Sequence, residues 1–372
     1  MAIKEFKTYI LDMETIRPHQ LSMHTITSQA IILGRAIDED GTEGWSEVAN
    51  IGGIAYGEQT PEAIKVNIDN YLSKLVIGRE AIHFNAIMHE IGKHAKGNNY
   101  SKAVVEGALI DLAARQRNIP AYQLLGGKIH NSIPLAWTLA SGNTERDIAE
   151  AEELLKIKRH RIFKLKIGKG DPDQNVEHVR KIIEAVGDRA KVTVDINQAW
   201  DEDTAVRCIK KLEAYGVNMV EQPVPVHNYA AMTRLTKRFD VPIMADESST
   251  YLQDCYRIVK ERAGNCVALK PCKHGGLLET IKVAGLCEAA GIGLYGGTMI
   301  ESSLGSAMAL SVYSTIHGFE FGTELFGQFL YKDRVTVEAL EVKDYELVIP
   351  DGPGWGLTVD IEKVKKYARE FY

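Results

Sequence analysis

Phe163-Lys164-Leu165-Lys166 is a short apolar run that carries two lysines and ends in charge, and later runs end the same way. Val192-Thr193-Val194-Asp195, Met219-Val220-Glu221, Ile243-Met244-Ala245-Asp246 and Val267-Ala268-Leu269-Lys270 follow, and a further run closes at Glu324. From Lys166 to Lys270 the charged ends lie 29, 26, 25 and 24 residues apart, and Glu324 comes a double step of 54 residues later. One strand, one helix and two loops fill such a step. Equal steps place all six charges on one rim of a closed parallel sheet. An open sheet would gather its ligands at a single switch point instead.

The alternation extends on both sides. Ile133 to Leu139, Phe163 to Ile167, Lys191 to Ile196, Asn218 to Glu221, Pro242 to Asp246, Cys266 to Lys270, Gly293 to Gly297 and Glu320 to Glu324 have strand character. Helical stretches separate them, among them Glu145 to Lys158 and Gln174 to Val186. Strands alternating with helices imply a parallel sheet, and eight of them imply a barrel.

Residues 1–128 differ. Ala30 to Ile37, the turn signal Asp38-Glu39-Asp40-Gly41 and Gly44 to Val48 read as antiparallel strands. Helices follow: one from Pro61 behind the cap Thr60, with the stripe Ile64, Ile68, Leu72 and Leu75, then Ala81 to Ala95 and Lys102 to Arg117. The expected division is an α+β capping domain (1–128), a (β/α)7β-like modified TIM barrel (129–327), and a C-terminal segment (328–372) that returns to the capping domain and ends in a helix, Ile361 to Glu370. The fold class is α/β.

The chain has 372 residues, is 45% hydrophobic and 25% charged, and carries a formal net charge of −6. That supports an ample core and gives no footing for nucleic acid or a membrane surface. No apolar run is long enough to span a bilayer, and the start, Met1 to Lys7, has no signal-peptide apolar region. Five cysteines without a C-x-x-C pair fit a reduced, cytoplasmic setting.

Asp195, Glu221 and Asp246 stand at matched positions on three successive strands. Converging carboxylates repel one another unless a cation faces them. Oxygen-only ligands suit one divalent ion, Mg²⁺ or Mn²⁺, over zinc. Lys164 and Lys166, two apart, point to one face of their strand, the barrel interior. Their mutual repulsion is expected to lower the pKa of one, which suits proton transfer. Lys270 faces Lys166 across the barrel. Two lysines on opposite sides of a metal-held carboxylate can move a proton at its α-carbon from either side.

Other motifs are discounted. His89 and His94 are five apart, one too many for a shared helix face. Gly291-Ile292-Gly293-Leu294-Tyr295-Gly296 follows a helix and enters a strand, the reverse of a dinucleotide site, so Gly291 reads as a helix C-cap. Asn99-Tyr100-Ser101 is a sequon without a secretory signal. The amides of His274-Gly275-Gly276 read equally as an anion site or a plain loop.

Lys164-Leu165-Lys166, Asp195-Ile196-Asn197, Glu221-Gln222-Pro223, Asp246-Glu247-Ser248 and Lys270 together resemble the enolase superfamily. Thr15-Ile16-Arg17-Pro18-His19, Ile51 to Gly57, Ala136 to Gly142, Asn197 to Glu202 and Thr323 to Gly327 resemble its muconate-lactonising branch, over essentially the whole chain. The resemblance implies that Asp195, Glu221 and Asp246 ligate Mn²⁺ or Mg²⁺. It implies that Lys166 donates or accepts the proton, that Lys164 tunes it and that Lys270 faces it. By the same resemblance Glu324 and Phe326 line the pocket, Asn197 binds there, and Ile51 and Tyr56 belong to a loop that closes over substrate. The implied activity is a metal-dependent cycloisomerase interconverting cis,cis-muconate, a small dicarboxylate, and muconolactone through an enolate in aromatic catabolism. The implied assembly is a homo-octamer. Two features differ from the usual pattern of the branch: Ser302 and Ser303 stand where two glycines are usual, and Pro271 follows Lys270 as in racemases and divergent cycloisomerases. The alternatives are therefore an N-acylamino acid racemase or dipeptide epimerase on the same scaffold, or a catalytically silent binding barrel.

Overall fold

A computed structural model describes residues 1–371. Strands β1 (Ile3–Gln20), β2 (Thr25–Asp38) and β3 (Glu43–Asn50) form an antiparallel sheet in the order β1-β2-β3. Helices α1 (Pro61–Asn67), α2 (Phe84–His94), α3 (Asn99–Arg115) and α4 (Ala121–Leu124) follow. Thr60 caps α1 by accepting from Ala63 N, with Pro61 at the first helical position. The stretch expected to be one helix from Ala81 begins as a 3-10 turn, Ala81–His83. Helix α3 is buried on nearly every face, which is why its sequence shows little amphipathic stripe.

The second part is built on a seven-stranded parallel sheet in sequential order. The chain first makes the short β4 (Ser132–Pro134), then β5 (Ala136–Leu139), α5 (Thr144–Lys156), β6 (Ile162–Lys166), α6 (Pro172–Val186), β7 (Lys191–Asp195) and α7 (Glu202–Ala214). It continues with β8 (Met219–Glu221), α8 (Tyr229–Arg238), β9 (Ile243–Ala245), α9 (Leu252–Glu261), β10 (Cys266–Leu269), α10 (Pro271–His274), α11 (Leu277–Ala290), β11 (Gly293–Gly296) and α12 (Ser303–Tyr313). Gly291 ends α11 in the left-handed conformation, as expected of a C-cap.

Two strand expectations need correction. Ile133 to Leu139 is not one strand. It divides around Leu135, and β4 leaves the barrel to pair with a C-terminal hairpin, because Pro134 has no N–H to extend the ladder. Glu320 to Glu324 is not a full strand either. Thr323 alone bridges Gly296 on one side and Leu135 on the other, with Thr323 N donating to Pro134 O (2.8 Å) and Glu324 N to Gly296 O (2.7 Å). Those bonds join the two edges of the sheet and close the ring.

After α13 (Gly327–Leu330) come β12 (Val342–Lys343), β13 (Glu346–Val348) and α14 (Ile361–Tyr367). The chain end returns to the first sheet: Ala368 bridges Leu11, and the Arg369 guanidinium spans both Asp12 oxygens (2.8 and 2.9 Å). Among the described residues no helix is long and apolar enough to cross a membrane. The five cysteines are free and buried.

Two buried carboxylates from the first part seat on helix starts of the barrel. Glu47 of β3 accepts from Ser302 N (2.6 Å) and Gly305 N (3.1 Å), and Glu106 of α3 accepts from Leu277 N and Leu278 N. The amides of His274, Gly275 and Gly276 donate to Lys270 O and Pro271 O, so of the two readings of that segment the plain loop holds, and Glu106 takes the next two amides. Burial pushes the Glu47 carboxyl up to about 7 and the Glu106 carboxyl up to about 8, against the pull of these donors. A carboxyl raised on folding holds its proton more tightly in the folded state. Its contribution to stability is present below the ordinary carboxyl range and is lost as pH climbs through 7 to 8. Glu106→Gln is expected to flatten the fall in urea midpoint between about pH 5 and pH 8 relative to the parent chain.

Candidate active site

The rim charges meet at the C-terminal end of the barrel. Register aligns Lys166 with Asp195 and Asp195 with Glu221, while Glu221 pairs with Met244. Asp246 therefore stands two residues farther along, just beyond β9. Left-handed backbone at Asn197, Gln198 and Gln222 turns the chain sharply after two of these strands. The side-chain amide oxygen of Gln222 accepts from Asp246 N (3.1 Å) and Ser248 Oγ (2.7 Å), holding the turn that carries Asp246.

Each expected metal ligand faces an ammonium group. Lys166 Nζ lies 2.5 Å from Asp195 Oδ2. Lys164 Nζ lies 2.5 Å from Glu221 Oε2 and 2.6 Å from Glu324 Oε2. Lys270 Nζ lies 2.6 Å from Asp246 Oδ2, and Lys273 Nζ lies 2.9 Å from Asp246 Oδ1. Lys270 passes so close to Gly297 that a β-carbon there would sit 2.7 Å from its Cε. Tyr56, from the loop after β3, donates to Asp246 Oδ2 (2.6 Å) and accepts from Lys270 (2.8 Å).

The expected lowering of a lysine pKa is overturned. Burial opposes charge on both Lys164 and Lys166. The neighbouring carboxylates outweigh burial and the mutual repulsion, so both are raised. Lys270 is raised in the same way, chiefly by Asp246. Burial would raise Glu324 too, but Lys164 and Lys166 hold it down at about 2. Glu221 goes the other way: burial and then Asp195 push it well above the carboxylate range, because Lys164 is shared between two acids.

The donor set fits a hard divalent cation. It is oxygen-only, and three buried oxygens in it lack a hydrogen-bond partner: Glu221 Oε2, Glu247 Oε2 and Asn197 Oδ1. The first is close to Lys164 but out of hydrogen-bond alignment. Asp195, Glu221, Asp246, Glu247 and Glu324 outnumber Lys164, Lys166, Lys270 and Lys273, so the cluster is one negative charge in excess when all are ionised. As they stand, no three acidic, histidine or cysteine side chains among the described residues converge on one point at ligand distance. Asp195, Glu221, Asp246 and Glu324 are each turned to a lysine instead, and Glu247 to the side-chain amides of Asn197 and Gln198.

One chamber brings the expected groups together. Ile51, Tyr56, Lys166, Asn197, Glu221, Lys270, Glu324 and Phe326 line it. Asp195, Asp246 and Lys164 stand behind them. The chamber leaves about 10 Å³, room for one water. A larger cleft of about 350 Å³, lined by Gln20, Thr144, Asp147 and His178, reaches Lys166 from outside the chamber, and one of about 470 Å³ lies away from the barrel mouth between Lys93, Lys102 and Lys282.

Three residues of the site were given no role by the sequence: Lys273 was not singled out, and Glu247 and His19 stood only as members of motifs. Lys273 is buried and donates to Asp246 O, Asp246 Oδ1, Ser249 Oγ and Ala268 O. Its spacing from Lys270 on a helix opened by Pro271 was an available signal. Glu247, beside Asp246, is pushed up to about 7 by burial and then by Asp246 and Asp195. His19 lines the chamber with both ring nitrogens unpartnered, and burial, then Arg17 and Lys166, push it down to about 3. The motif Thr15 to His19 was the available signal for it.

Lys164 is fully buried between two carboxylates. Lys164→Met leaves both without a counter-charge and is expected to cost about 3–5 kcal/mol in urea unfolding. Adding Glu324→Gln should recover part of that loss.

Comparison with known proteins agrees with this geometry. Residues 5–126 match the mandelate racemase / muconate lactonizing enzyme N-terminal domain, and residues 146–364 match the enolase C-terminal domain-like family. The chain is 42% identical over 367 residues to muconate cycloisomerase 1 of Acinetobacter baylyi, covering 98% of this chain and 99% of the relative. It is 44% identical over 369 residues to a chloromuconate cycloisomerase of Cupriavidus necator, covering 99% and 100%. The crystal structure of muconate lactonizing enzyme from Pseudomonas fluorescens complexed with muconolactone superposes with a TM-score of 0.97 at 43% identity, over 99% of both chains. A capping sheet, a ring of parallel strands with acids and lysines at one mouth, and near-complete similarity together make this chain a member of the mandelate racemase / muconate lactonizing enzyme family of the enolase superfamily.

Proposed function

We propose that the chain is an isomerase that interconverts cis,cis-muconate and muconolactone in aromatic catabolism. The observation that carries this reading is the pair Lys166 and Lys270, both lining one chamber and each held by an acid of a three-strand carboxylate set. Full-length relatives bearing the muconate cycloisomerase name support it, and they do not favour the racemase or epimerase alternative.

Lactonisation converts a dianion into a monoanion and consumes one proton. One substrate carboxylate adds to the double bond conjugated with the other, and the α-carbon takes a proton from an ammonium group. Lys166 is the assigned donor, with Asp195 and Glu324 aiming it and Lys164 tuning it electrostatically. Lys270 stands on the opposite side. In the reverse direction the Lys166 amine takes that proton back. The family uses a divalent metal. Held by Asp195, Glu221 and Asp246, Mn²⁺ or Mg²⁺ would offset the negative charge that develops on the enolate carboxylate. Ile51 and Phe326 give the chamber its apolar walls and exclude water, while Asn197 and Tyr56 offer hydrogen bonds. The chamber must widen before a six-carbon dicarboxylate enters, and the loop bearing Ile51 and Tyr56 is its cover. A cytoplasmic setting and a homo-octamer complete the reading, the latter checked by light scattering.

Mixing the protein with Mn²⁺ and muconate is expected to abolish the ultraviolet absorbance of the diene, and chelation should stop the reaction. A folded, metal-loaded protein that leaves the absorbance unchanged overturns the proposal. Lys166→Ala should lower kcat by about 10³-fold. Running the reaction in D₂O and reading the product configuration by NMR assigns the face of protonation and hence the donating lysine.

A further inference from the structure

The segment Thr298–Ser302 holds a conformation that its sequence does not favour. Ile300 has φ +65°, a left-handed backbone that β-branched residues rarely adopt. Its side chain is 2% exposed and lines the same chamber as Lys166 and Phe326. Such strain persists only where the surroundings over-determine it.

Here they do so from three directions. Within the loop, Ile300 N donates to Thr298 Oγ1 (2.7 Å), and Glu301 accepts from Thr298 Oγ1 (2.6 Å) and Met299 N (3.1 Å). From the antiparallel sheet, Gln29 Nε2 donates to Met299 O (2.7 Å) and Ile300 O (3.3 Å), and Glu47 grips Ser302 through both N–H and hydroxyl. From the C-terminal segment, Tyr331 OH donates to Ile300 O at 2.5 Å, and Ser303 Oγ bonds Thr336 Oγ1. Gly327 lies so close that a β-carbon on it would fall 1.9 Å from Glu301 O. The unusual serine pair thus supplies two of the ties.

A glycine at position 300 would adopt this backbone without strain. The isoleucine side chain must therefore contribute something that offsets its conformation, and the chamber shows what. With Leu21, Met23, Ile51 and Phe326 it forms the apolar lining of a space with room for one water. We propose that Ile300 is the wall that limits substituent size on the substrate, disfavouring muconates that carry a chloro or methyl group on the carbon chain, and that the ties from both flanking segments hold it there. This rests on the muconate reading above.

The test uses the full-length, Mn²⁺-loaded protein with Ile300→Ala and Ile300→Gly. The ratio of kcat/KM for 2-chloromuconate to that for muconate is expected to rise about tenfold in both. The glycine variant should melt about 2 °C above the alanine variant, the inverse of the order at ordinary backbone positions. An unchanged ratio overturns the role in specificity, and alanine melting at or above glycine overturns the strain. Ile300→Val, which removes one methyl and keeps the branch, should move the ratio the same way by about threefold, so misfolding of the larger truncations does not shield the idea. An inactive parent protein overturns the muconate reading and the substituent assignment with it, while the order of melting still tests the strain on its own.

Discussion

Four lysines and five carboxylates, most of them buried, gather at one end of a barrel, and the rest of the molecule is arranged around balancing their charges. Taking one such ion out of water costs several kcal/mol unless a partner faces it at close range. Lys164 shows the constraint most clearly, because a fully buried ammonium group holds Glu221 and Glu324 at once. The strain of crowding so many acids falls on Glu221 and Glu247, which burial and neighbouring acids push towards the protonated form and both of which keep an oxygen without a hydrogen-bond partner. A divalent cation placed among them would relieve that repulsion.

The antiparallel sheet and its helices are part of this arrangement, not an appendage to it. Tyr56 enters the chamber and bonds both Asp246 and Lys270. Glu47 and Glu106 close the exposed amides at the starts of two barrel helices, and the same Glu47 grips the loop that carries Ile300. Docking of the cover, the shape of the chamber wall and the placement of the catalytic charges are thus coupled through a few buried carboxylates. Each sits where burial and helix-end donors pull its proton affinity in opposite directions.

Much of the site was legible because strand geometry is periodic. A charge that ends an apolar run at a constant step has few places to go in a βα repeat, so Lys166, Asp195, Glu221, Asp246, Lys270 and Glu324 could be placed on one rim before any coordinates. Lys164 followed from the two-residue strand period. Elements held by single contacts were less legible. The last strand shrinks to a bridge at Thr323, and Pro134 splits another, because closing the ring needs only a few bonds and proline cannot donate one.

The order of residues settled which side chains arrive at the mouth of the barrel, since that depends on local periodicity and on the length of each βα step. Folding alone decided what those side chains do to one another. The two neighbouring lysines were expected to repel and lose a proton. In the folded chain, acids from strands β7 and β8 and from the segment that closes the ring hold both in the charged form. Lys273, His19 and the strained Ile300 acquire their surroundings from segments far away in the sequence. Proton affinity and backbone strain are set by three-dimensional neighbours and burial, and neither quantity is written in a local pattern.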